Sequence, residues 1–319
     1  MTYLGELISI GVAFSWTATA LLSEFGSKRL GNLTLNVLRM ALALLFSMVL
    51  FWAVTGSPLP IHNTNLTLLP TGGVGEGLGV WLMLLSGLVG YVIGDYCLFQ
   101  CYIIIGSRFG QLFMTLAPLS AALMAWVTLG QQMSAMSIVA MFVTLFGISI
   151  SVLGRGEHHR LSLRLPLNGV LFAVGAALCQ GIGLVISKIG MDAMALSMVN
   201  DSWLLPFTAN FYRCIAGFVG FILLMFFRTG MQPLRDALHD RKGLTVAAAT
   251  TLFGPFVGVG FSLMAVQYTA AGIASTLMAM TPIIILLPAR LLFHETITPR
   301  AVLGAVISVL GVSLFFLGE

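Results

Sequence analysis

Charged side chains are scarce in this sequence. Asp, Glu, Lys and Arg make up 8% of its 319 residues, where a soluble domain carries about a quarter. So few charges cannot cover a water-facing surface of this size, which excludes an ordinary soluble globular protein. The formal net charge of +4 is small and scattered, with no basic face interleaved with aromatics, so no nucleic-acid partner is expected. Cysteine is rare as well. Cys97, Cys101, Cys179 and Cys214 all fall in apolar stretches and read as packing residues rather than disulfide partners or metal ligands. Cys97 and Cys101 share a helix face, but a two-thiol metal site needs further ligands and none is close in sequence. No His-Glu-x-x-His, Gly-x-Ser-x-Gly or Walker phosphate loop occurs. The histidines (His62, His158, His159, His239 and His294) fall in loops or at helix ends. These absences argue against an enzyme, a nucleotide-driven pump, a metal site and any cofactor. Met1 to Glu6 carry no Lys or Arg and no cleavage pattern, so the first apolar run is expected to stay in the membrane.

What is abundant is hydrocarbon: 58% of residues are hydrophobic and the mean hydropathy is +1.01. A spanning helix needs about 20 mostly apolar residues, about twice what a barrel strand requires. Ten such stretches can be marked: Leu4 to Leu22, Leu33 to Val54, Leu78 to Tyr102, Ser107 to Leu129, Ser134 to Leu153, Leu167 to Ile189, Ser202 to Phe227, Leu244 to Tyr268, Ile273 to Phe293 and Arg300 to Leu317. The expected fold class is therefore an all-α integral membrane protein. With ten spans, alternate connections hold Lys28, Arg29, Arg108, Arg155, Arg160, Arg164, Arg228, Arg235, Arg241, Lys242 and Arg300 on one side, and the other side has Lys188 at most. The positive-inside rule then places those connections in the cytoplasm and both termini outside, in the cytoplasmic membrane.

The chain also matches itself at an offset of 282 − 118 = 164. Met114-Thr115-Leu116-Ala117-Pro118 lines up with Met278-Ala279-Met280-Thr281-Pro282, Gly94 with Gly258, and Gly147-Ile148-Ser149 with Gly311-Val312-Ser313. With one insertion, Asn36-x-x-Arg39 matches Asn210-x-x-Arg213. Hydrophobicity does not dictate Pro, Arg or Gly-x-Ser, so the matches mark a duplication, with units at 1–154 and 166–319. Five helices per unit is an odd number. The second copy must then enter the membrane from the opposite side, and such inverted repeats are a transporter architecture.

With Asn36-x-x-Arg39, Asn210-x-x-Arg213, the small-residue runs ending in Pro118 and Pro282, the Phe293-His294-Glu295-x-Ile-Thr298 turn and the glycine-bearing last helices, the chain resembles the ten-helix, EamA-type members of the drug/metabolite transporter superfamily. The resemblance implies a basket of helices around a central cavity that moves metabolites such as amino acids, bases, sugars or amphipathic toxic compounds. Two features depart from that pattern. Gln131 stands where the family usually places a glutamate, kept as Glu295 in the second repeat, and the connection after the second helix is uncharged.

Polar groups within spans are the candidate substrate-binding or coupling residues. Asp95 sits near the middle of the third span, where an acid costs about 2.5–3.5 kcal/mol on insertion scales and must be compensated. Proton coupling, binding of a cationic group and a fixed pair with Arg39 are the readings open to it. Arg39 and Arg213 are matched between the repeats, Arg39 early enough in its helix to snorkel and Arg213 deeper. Lys188 is matched with Glu24, and Trp16 with Gln180. Asn36, Asn210, Gln100 and Gln267 complete the set, either lining a cavity or satisfying neighbouring backbone. Pro118 and Pro282 are candidate hinges, since each removes a helix hydrogen bond near mid-span. The expected function is alternating-access secondary transport of a small organic, amino-acid-like metabolite, in the direction of export, driven by protons or exchange. A channel, multidrug efflux and a membrane-embedded enzyme are the rival classes. The expected partners are the lipid bilayer, the solute and protons, with the chain a monomer or homodimer.

Overall fold

The computed structural model describes residues 3–60, 74–129, 135–155, 161–163, 165–195, 203–268, 277–294 and 297–317. Helix α1 (Leu4–Leu30) is followed by α2 (Asn32–Thr55), and α3 is continuous through Val74–Gly87, Leu88–Asp95 and Tyr96–Ile105. The junctions α1 to α2 and α3 to α4 are single glycines, Gly31 at φ 82° and Gly106 at φ 85°, which a side chain would strain. Helix α4 has two pieces, Ser107–Met114 and Ala117–Leu129, and α5 is Ala135–Val152. The halves are joined by a small antiparallel ribbon in which β1 (Leu153–Arg155) pairs with β2 (Leu161–Leu163). This ribbon is a local feature of the connector in a chain whose other described elements are all helical; alternation in Leu161-Ser162-Leu163 suits a two-residue period rather than a helix.

The second half repeats the order. Helices α6 (Leu167–Ala195) and α7 (Leu205–Arg228) are followed by a short α8 (Gln232–Ala237). Helix α9 runs through Arg241–Thr251, Leu252–Phe256 and Val257–Tyr268, α10 comprises Thr281–Ile284 and Leu286–Phe293, and α11 is Pro299–Leu317. Seven of the described helices are long and apolar enough to cross a membrane, and shorter apolar helices occupy Ile138–Ser151, Thr281–Phe293 and Pro299–Leu314. Large apolar side chains such as Phe14, Trp52, Trp81, Phe142 and Phe227 point outward, as lipid-facing surface requires.

Contacts between the halves come in exchanged pairs. Helix α1 packs along α9 as α6 packs along α3, while α2 meets α7 and α5 meets α11. On the α5–α11 seam, a side chain at Gly147 would strike the backbone of Ser308, and one at Gly311 that of Thr144. Those two contacts are the same contact with the halves swapped, because Ser308 Oγ and its acceptor Thr144 O are themselves 164 residues apart. Similarly, Ser120 Oγ in α4 donates to Ala177 O in α6 at 3.0 Å, and Thr281 Oγ1 in α10 donates to Ala13 O in α1 at 3.5 Å. The third helix of each half widens into a π turn at matched positions, starting at Leu88 and at Leu252. In α9 the turn contains Pro255, whose missing N–H forbids the ordinary α bond.

Candidate functional site

The two π turns face each other across a buried polar cluster contributed by α2, α3, α6, α7 and α9. Its first part is built on α2 and α3. Arg39 Nη1 donates to Asp95 Oδ2 at 3.0 Å and to Asn36 Oδ1 at 2.7 Å, and its guanidinium lies 4.4 Å above the centre of the Phe99 ring. Gln180 of α6 donates through Nε2 to Asp95 Oδ1 at 2.8 Å and to Gly90 O at 3.1 Å. Both carboxylate oxygens of Asp95 are therefore engaged, one by a charge and one by an amide. Asn36 is held by its own helix, its Nδ2 donating to Asn32 Oδ1 at 2.8 Å, and Asn32 in turn reaches Tyr96 O and Gln100 Oε1. Arg39 is 3% exposed and Asp95 5%, so neither snorkels. Burying either ion alone costs several kcal/mol, and the close pair offsets that cost.

The second part centres on α7. Asn210 accepts from Tyr91 Oη of α3 at 2.5 Å and donates to Pro255 O of α9 at 2.8 Å, so one amide holds both π turns. The Pro255 carbonyl bond also satisfies an acceptor in the widened turn. Arg213 lies over the Tyr91 ring, 4.7 Å from its centre, and is 8% exposed. Its Nε has no hydrogen-bond partner, and no carboxylate among the described residues lies within 4.0 Å of its guanidinium.

Several expected residues converge here: Asp95, Arg39, Asn36, Gln100, Gln180, Asn210 and Arg213. Trp16 borders the cluster on the α1 side, where a side chain at Gly258 would meet its indole nitrogen, much as one at Gly94 would meet Gln180. Lys188 does not join; it is exposed on α6. Its matched residue Glu24 is buried instead of snorkelling. Glu24 pairs with Lys28 at 2.6 Å and accepts from the Ser107 backbone N–H at 2.6 Å, capping the first turn of α4 where an anion is favoured. The side chain of Gln267 lies outside the described residues, as do Gln131 and Glu295. Pro118 and Pro282 are not mid-helix kinks. Each is the second residue of a fresh helical piece after a break in α4 and α10, the position where a missing N–H costs nothing. Sequence reasoning missed Tyr91, Phe99 and Asn32. Asn32 carried a visible signal, being four residues before Asn36 on the same face.

Two copies of the EamA-like transporter family model match the chain, at residues 3–153 and 167–317. The chain belongs to the EamA-like transporter family. It is a multi-pass helical membrane protein, and its general activity is that of a membrane transporter. A crystal structure described only as that of a protein is similar over 99% of this chain and 99% of its own, with a TM-score of 0.61 and 15% identity. At that identity the likeness carries the fold alone. No curated protein matches.

Proposed function

We propose that this EamA-like transporter is a secondary transporter that moves a small organic, amino-acid-like metabolite across the cytoplasmic membrane by alternating access, in the direction of export. Its working parts are two inverted five-helix units, 1–154 and 166–319, that rock against each other. The seven long and three shorter apolar helices supply ten crossings. The observation that carries the reading is the buried polar cluster of Asp95, Arg39, Gln180, Asn210 and Arg213 lying between halves whose contacts exchange in pairs. Two nearly equivalent packings of one scaffold give two states of opposite access, and a polar site at the seam is reached from either side in turn. Protonation of Asp95 would release Arg39 and loosen α2 from α3, which couples a proton to the change of state. Exchange of one solute for another is the other drive open to a chain without a nucleotide site. The Lys/Arg bias sets both termini outside; a reporter fused after Glu319 is expected outside, and a cytoplasmic one contradicts that orientation.

The deciding experiment is counter-transport in vesicles containing the purified chain, using metabolites first identified as released by cells that express it and not by cells that lack it. Saturable uptake accelerated by solute on the opposite side is expected. Flux that rises linearly with concentration and ignores solute on the far side would make the protein a channel. Unchanged transport and pH dependence in Asp95→Asn would remove that residue from the coupling.

A further inference from the structure

Four charged side chains are buried among the described residues: Glu24, Arg39, Asp95 and Arg213. Three have an opposite charge in contact, Glu24 with Lys28 and Arg39 with Asp95. Arg213 alone has none within 4.0 Å. Asp95 attracts it only at longer range, its two oxygens being bonded to Arg39 and Gln180. In the register that aligns the π turns, the residue matching Asp95 is Val259, since 259 − 95 = 164. The second half therefore keeps the arginine and lacks the acid.

A buried cation with unfilled donors is costly unless something supplies the missing anion. Among the described residues the surroundings of Arg213 supply no anion in contact. Tyr91 provides an apolar ring face beneath the guanidinium, and its hydroxyl is committed to Asn210. On the α3 side the head group packs closely on Gly90, where a side chain would meet Arg213 Nη2 at 3.0 Å. Gln180 Oε1, whose amide nitrogen is turned toward Asp95, lies 3.9 Å from the same point and offers an acceptor to a donor group on the solute. A guanidinium presents paired N–H groups in the plane that a carboxylate matches in bidentate fashion. With Arg39 already paired to Asp95, the single guanidinium fork of Arg213 suits one carboxylate better than a phosphate dianion.

We propose that Arg213 is the docking point for the solute's carboxylate, so that the transported molecule is a small organic monoanion or a zwitterion held by its carboxylate. This rests on the reading of the cluster as the solute site. Arg39, already neutralised, positions Asp95 and does not bind solute in the state seen here.

The test uses the full-length purified chain in detergent, with melting temperature as the readout and four probes: benzoate, benzamide, benzylamine and inorganic phosphate. Benzoate is expected to stabilise the wild type, with the other three giving less than half its shift at equal concentration. Arg213→Gln is expected to raise the benzoate half-saturation concentration at least tenfold, and Arg213→Lys, which keeps the charge but not the fork, by a smaller factor. No benzoate shift in the wild type, equal shifts from benzamide or benzylamine, a larger one from phosphate, or an unaltered response in Arg213→Gln would each overturn the proposal. The probe series needs no variant, so a poorly folded Arg213→Gln does not remove the test. Vesicle transport separates the two readings: benzoate binding without transport leaves the anion site standing and removes the transporter mechanism, and transport indifferent to carboxylates does the reverse.

Discussion

The two halves of this transporter treat matched arginines in opposite ways. Arg39 is tied to Asp95, Asn36 and the Phe99 ring, whereas Arg213 rests on Tyr91 with its Nε unpartnered. Their backbones are equivalent by sequence, and both sit beside a glycine of a π turn in the other half, Arg39 at Gly254 and Arg213 at Gly90. Among the charged residues of the cluster, what differs is Asp95 against Val259. A duplicated scaffold thus gives symmetry of packing, and a single unmatched acid breaks the symmetry of charge. One arginine then acts as structure and the other is left for a ligand.

The largest effect is expected from breaking the balanced side. Asp95→Ala leaves Arg39 buried and uncompensated, and loss of one partner of a buried pair costs about 3–5 kcal/mol. Unfolding of the detergent-solubilised chain should register most of it, and Arg39→Met in the same molecule should recover a large part. If the double variant is no more stable than Asp95→Ala, the two side chains are not coupled and the contrast between halves loses its first term. Next comes Asn210→Ala, which strands Tyr91 Oη and Pro255 O and is expected to cost about 1–3 kcal/mol. Asn36→Ala should cost less, because Asn36 bonds within its own helix and to Arg39 while Asn210 ties the two halves together. Equal melting temperatures for the two alanine variants would erase that distinction.

How much of this was readable in the chain follows from where each signal lives. Asp95, Arg39, Arg213, Asn36, Asn210 and Gln180 stand out because a polar group in an apolar run has no cheap local home. The duplication was readable from Pro118 and Pro282 with their neighbours. What those prolines do was not, because a kink and a break look alike until the turn before the ring is seen. Tyr91 and Phe99 were missed because an aromatic residue in a membrane helix is ordinary; only contact with Asn210, Arg213 or Arg39 gives either a role, and those partners lie far away in sequence. Glu24 and Lys188 share a matched position yet differ in fate. Glu24 meets the start of α4 and is buried, while Lys188 is exposed, and nothing within ten residues of either announces it.

A more direct way to sharpen the contrast is to give the second half the acid it lacks. Val259→Asp places a carboxylate at the position matching Asp95, where it can neutralise Arg213 as Asp95 neutralises Arg39. Carboxylate binding measured by thermal shift is expected to weaken about tenfold, equivalent to about 1.4 kcal/mol, with Arg213 itself unaltered. Benzoate binding that survives this substitution unchanged would mean that the missing acid is not what leaves Arg213 available.

The smallest effect belongs to a charge pair outside the cluster. Arg29 at the end of α1 grips Asp240, just before α9, through Nε at 2.5 Å and Nη2 at 2.8 Å. The hydrogen bond from Arg29, and then the Gly243 backbone N–H, hold the Asp240 carboxyl down at about 2 from its ordinary 3.8. A carboxylate depressed in the folded state contributes stability above its ordinary value and loses that contribution as pH falls toward its folded value. The melting-temperature gap between wild type and Asp240→Asn should therefore be small at pH 7, narrow below pH ~4 and close near pH ~2. It should also shrink at high salt, because this pair faces water and is screened, unlike Arg39 and Asp95. A gap that widened in acid would mean that Asp240 is destabilised rather than stabilised by its surroundings. The salt response makes the same point about the buried pair: variants at Asp95 should keep their full deficit in salt that removes the effect of Asp240→Asn.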